Sequence, residues 1–106
     1  MSGLSKVRLS LKHAQEQLHH PEIENHGEVR HGLLDAFCWL CHEADVALEM
    51  PFKTAVHQDF QLNAVWCIEE IDEVLCCLHH LPEKIQKRKA RLEEAASLVR
   101  EAYLLI

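Results

Sequence analysis

The chain has 106 residues, of which 48% are apolar, with three glycines, three prolines and a net charge of −6. That length suits one domain; the apolar content argues against disorder, and the few chain breakers argue against an all-β sandwich or barrel. No apolar run approaches the ~20 residues of a membrane span, and MSGLSKVRLSLKH lacks the apolar core of a signal peptide. The expectation is a cytoplasmic, all-α protein. Charge is uneven: residues 1–12 carry +3, residues 13–82 carry −11 and residues 83–106 carry +2. An acidic middle does not suit direct nucleic-acid binding, which calls for a dominant basic face. The one basic cluster, Lys84, Lys87, Arg88, Lys89 and Arg91, reads as a solvated helix face.

Four helices follow from apolar spacing and punctuation. The first is expected over about 5–20, where Leu4, Val7, Leu11, Ala14 and Leu18 recur every three or four residues, one stripe of a helix. His20-Pro21 stops it, because proline disfavours α geometry in the residue before it. The second spans about 26–49, opened by Asn25 and Glu28 in capping-box spacing and broken at Met50-Pro51. Its stripe is Val29, Leu33, Phe37, Leu40, Ala44 and Ala47, and Gly32 inside it is a weak point. The third covers about 54–81, with Phe60, Ala64, Ile68, Ile71, Leu75 and Leu78 as its stripe and Pro82 as its stop. The fourth runs over about 83–106, with Ile85, Leu92, Val99 and Ile106 seven apart.

A short turn between the second and third helices predicts an antiparallel helical hairpin, and the whole chain 1–106 a single four-helix bundle-like domain built around it. In that hairpin Trp39 faces about Ala64 and Trp66 faces about Phe37, so the two tryptophans stand at one height. Both project from second, non-core faces, Trp39 with Val46 and Trp66 with Leu62. A helix apolar on two sides is either buried twice or carries an exposed patch, and tryptophan is a favoured interface residue. With Tyr103 near the apolar C-terminus and Glu70 and Glu73 as a polar rim, these residues form the candidate partner-binding surface. A homodimer is one way to cover the second face.

Motifs that could carry other chemistry are incomplete. Cys38-Trp39-Leu40-Cys41-His42 has haem-attachment spacing, yet sits mid-helix in a chain without an export signal. The five cysteines otherwise read as small apolar residues; in the hairpin Cys38 and Cys67 come within about a turn. His19, His20, His26, Cys76, Cys77, His79 and His80 gather at one end of that hairpin, without a C-x-x-C pair there to fix zinc. Glu16-x-x-His19 and Glu28-x-x-His31 have di-iron spacing but no inward carboxylates to complete a site. Glu69-Glu70-x-x-Glu73 resembles the magnesium motif of all-α nucleotide pyrophosphohydrolases, but the E-x-x-D that those enzymes carry on the next helix is missing. The sequence thus assigns no catalytic residue, metal or cofactor.

The segments HGLLDAFCWLCHEADVAL (31–48) and VWCIEEIDEVLCCLHHLPEK (65–84) resemble, in general layout, the small helical quorum-sensing anti-activators of pseudomonads, the QslA type. That resemblance implies a non-catalytic protein that binds a LuxR-type transcription factor and blocks its dimerisation and promoter binding. It transfers no functional residue. Two alternatives remain: an acidic DNA mimic that sequesters a basic DNA-binding domain, and a His/Cys-rich metal-binding helical protein.

Overall fold

The structure, a computed structural model, describes residues 3–19, 26–49 and 60–106. It contains four helices: α1 (Gly3–Leu18), α2 (His26–Ala44), α3 (Phe60–His79) and α4 (Ile85–Leu105). No strand occurs among the described residues. The expected stop at His20-Pro21, the cap at Asn25, the break at Met50-Pro51 and the helix start at Thr54 lie outside them, as does the side chain of Phe60.

The expected stripes largely become the core. Leu4, Val7, Leu11, Ala14 and Leu18 of α1 are buried, and so are Val29, Leu33, Phe37, Leu40 and Ala44 of α2. On α3 the buried set is Ala64, Cys67, Ile71, Val74 and Leu78, with Ile68 and Leu75 half-buried beside it. On α4 it is Leu92, Ala95, Ala96, Val99, Ala102 and Tyr103. Gly32 has a packing reason: a Cβ there would meet Ser10 O of α1 at 3.3 Å. Its bare backbone lets α1 and α2 approach closely.

The layout differs from the expected central hairpin. Among the described residues α1 packs on α2 and α3, and α4 packs on α3 and α2, whereas no Cα of α2 comes within 8 Å of one on α3. They occupy opposite corners of the bundle. The registers fix the directions. Lys6 lies over Trp39 and His13 reaches Glu28, so α1 and α2 are antiparallel. Arg8 reaches Leu78 and Gln15 reaches Asp72, so α1 and α3 are antiparallel. Helices α2 and α3 therefore point the same way, and the link between them joins opposite ends of the bundle. Two antiparallel pairs joined by one long crossover are an established form of four-helix bundle.

Helix α2 also ends sooner than expected. It stops at Ala44 instead of continuing to Glu49, because Asp45 adopts φ 54°. Asp45 N–H donates to His42 O at 3.2 Å and Val46 N–H to Cys41 O at 3.1 Å. These are the two bonds of a Schellman helix stop, with aspartate in the left-handed position that glycine usually fills. Beyond it Val46 and Leu48 pack on the core, and Leu48 donates its backbone N–H to the Cys41 sulfur. The chain thus turns back along α2.

The heptad of α4 also has an exception. Ile85 is 84% exposed, and every residue from Glu83 to Arg91 is exposed. Helix α3 ends at His79, and its Cys77 meets Arg91, so the first turns of α4 pass beyond the helix that would cover them.

A left-handed conformation costs an L-residue roughly 1–2 kcal/mol. Asp45→Gly is therefore expected to stabilise the fold by about 0.5–1 kcal/mol after glycine's own entropic cost, and Asp45→Val to destabilise it by at least as much. Urea unfolding of the two variants reads both signs.

Candidate protein-binding surface

The predicted surface residues separate into two groups. Trp39 is half-buried on α2, with Lys6 Nζ 4.5 Å from its ring centroid and the His42 ring edge-on at 6.1 Å. A Cβ on Gly3 would meet its Cε3 at 2.9 Å. Trp39 thus closes the end of the α1–α2 pair. Val46 packs beside the core after the Asp45 turn. Tyr103 is 6% exposed and belongs to the core, so it contributes no surface.

Leu62, Trp66, Glu70 and Glu73 stay together on α3. Trp66 is 48% exposed, and Leu62 and Val65, one turn and one residue before it, are also exposed. Sequence reasoning missed Val65, although its step of three from Leu62 was a readable signal. Trp39 and Trp66 are not brought face to face: among the described residues the backbones of α2 and α3 do not approach within 8 Å.

Electrostatics fix the edge of this patch. Glu70 on α3 and Glu101 on α4 stand side by side. In an antiparallel pair, one turn further places Trp66 alongside Leu105, with Leu104, itself exposed, next to it. Burial pushes the Glu70 carboxyl up from its usual range, and the neighbouring Glu101, Glu73 and Glu69 charges add to the rise. Its Oε2 is buried and accepts no hydrogen bond among the described residues. The result is an apolar strip bordered by four carboxylates.

The expected His/Cys gathering does not form among the described residues; His20 and the side chain of His26 lie outside them. His26 opens α2 at the end where α1 finishes, and Cys76 and Cys77 lie near the other end, toward Arg8. Among the described residues no group of three or more His, Cys, Asp or Glu side chains could hold a metal ion. Cys67 is buried on α3 and Cys38 exposed on α2, on helices whose described backbones do not approach within 8 Å, so the expected Cys38–Cys67 proximity is lost. Burial raises the Cys41 and Cys77 thiols, against the lowering effects of Leu48 N–H on one and Arg91 on the other.

No described helix is long and apolar enough to cross a membrane. No family model matches the chain, and no curated protein or solved structure is significantly similar to it.

The Glu70 environment predicts a pH dependence. A carboxyl raised in the folded state binds more protons folded than unfolded, so its ionisation costs stability as pH rises through the raised value. Glu70→Gln is expected to stabilise the protein near pH 7 by on the order of 0.5 kcal/mol, the scale of like-charge helical pairs. The gain should vanish below about pH 4, where the wild-type carboxyl is neutral in both states. Thermal melts of both proteins across pH give this difference directly.

Proposed function

We propose that this chain is a non-catalytic protein-binding regulator that engages its partner through the exposed outer face of α3. The observation that carries the reading is the strip Leu62, Val65 and Trp66, left uncovered by its own bundle and bordered by Glu69, Glu70 and Glu73. An apolar centre with a charged border is the anatomy of a protein interface, and tryptophan is the residue type most enriched at its energetic centre. The layout resemblance of residues 31–48 and 65–84 gives the partner class: a LuxR-type transcription factor, held as a monomer and kept from promoter DNA. The carboxylates steer encounter with a basic partner, and the strip takes the place of that partner's own apolar dimer surface. A homodimer of this chain would use the same strip and would compete with the partner.

The test is binding of the purified chain to purified LuxR-type activators, followed by sedimentation. Trp66→Ala is expected to weaken binding about 30-fold, the ~2 kcal/mol scale of an interface hot spot. Trp39→Ala should leave the affinity of the folded protein unchanged. Binding that ignores Trp66→Ala and Leu62→Ala but collapses with salt would instead mark an acidic surface acting alone, the DNA-mimic reading.

A further inference from the structure

The α1–α3 groove gathers positive charge in an otherwise acidic molecule. Its walls are Arg8 and Lys12 of α1 and Leu75, Cys76, His79 and His80 at the end of α3, around a cleft of about 350 Å³. Arg8 Nη2 donates to Leu78 O at 2.9 Å. That bond satisfies a carbonyl that the end of α3 leaves open and fixes the guanidinium at the cleft. Lys12 stands one turn along the same face of α1. The His79 and His80 rings meet edge to face, 4.8 Å between centroids. Asp72, one turn before Leu75 and Cys76 on α3, is held by Gln15 Nε2 at 2.6 Å, and Glu16 stands one turn beyond Lys12 on α1; neither is among the residues that line the cleft.

We propose that this groove is a binding site for a compact tetrahedral dianion, a phosphate or sulfate group. The guanidinium offers a planar fork suited to such oxygens, and Lys12 adds a mobile point charge. An imidazole carries at least one ring N–H, so His79 and His80 add donors on the facing wall. The charged groups around the two histidines set the balance. Arg8 and Lys12 approach from α1. On the other side His80 and Cys76 border a second cleft with Glu73 of α3 and Arg91 and Glu94 of α4, where the pair of acids offsets the arginine. The groove's volume suits one anionic group with a small substituent and not a nucleic-acid duplex. This site lies on the α1 side of α3, apart from the Trp66 strip, and does not depend on what that strip binds.

Titration with inorganic sulfate at pH 8, followed by the His79 and His80 ring resonances, tests the site. The expected result is saturable binding that shifts both rings together. Lys12→Gln/His80→Gln, both exposed positions, should weaken it about tenfold with an unchanged melting temperature. Inorganic phosphate at pH 8 is expected to saturate the same resonances, and a clear preference for one ion assigns the natural group. Absence of saturable shifts up to about 50 mM of either ion overturns the proposal. So does an affinity that the double substitution leaves unchanged.

Discussion

The left-handed turn at Asp45 ends α2 and sends the chain back along it. An uninterrupted α2 followed by a tight turn would lay α3 against it as a hairpin. Instead two backbone hydrogen bonds close α2 at Ala44, and the chain doubles back with Val46 and Leu48 on the core. Helices α2 and α3 then point the same way at opposite corners, and α1 and α4 fill the space between them. The cost of one strained residue is small beside the burial of four apolar stripes, since each fully buried leucine or valine contributes roughly 1.5–3 kcal/mol.

That arrangement decides what reaches the surface. With α2 across the diagonal, nothing from it covers the outer side of α3, and α4 packs on the flank that carries Glu70 and Cys77. Leu62 and Trp66 continue that flank toward the end of α4, where Trp66 stays 48% exposed, and Val65 lies further out. The same topology separates Trp39, which is spent on closing the α1–α2 pair under Lys6. Charge follows the same division. The α3 carboxylates crowd one another beside the Trp66 strip, while Arg8, Lys12 and the paired histidines collect in the groove on the other side.

Much of the helical content and most of the core were legible in the sequence, because the stripe of each helix is a local property of 3.6-residue spacing. The buried set of α1 is its expected stripe with Gly3 added, and Leu92, Val99 and Ile106 of α4 are buried as expected. Connectivity was not legible. Aspartate tolerates the left-handed conformation, but most aspartates do not adopt it, so Asp45 gives no signal that a glycine would have given. Once the hairpin is replaced by a crossover, the inferences that used α2 and α3 as neighbours fall with it: the facing of Trp39 and Trp66, the His/Cys gathering and the Cys38–Cys67 proximity. Ile85 fails for another reason. Periodicity places it on the core side of α4, yet spacing cannot show that the neighbouring helix ends before reaching it. Leu62 and Trp66 survived because their exposure depends on the face of α3 alone.

The central claim is that Trp66 lies open on α3 while Trp39 is packed away under α1. Acrylamide quenching of single-tryptophan variants separates the two, since each variant leaves one indole as the only reporter. In Trp39→Phe the remaining Trp66 is expected to emit at longer wavelength and to quench several-fold more readily than Trp39 does in Trp66→Phe. Equal quenching of the two indoles, or a shielded Trp66 in a protein that sediments as a monomer, would contradict the account.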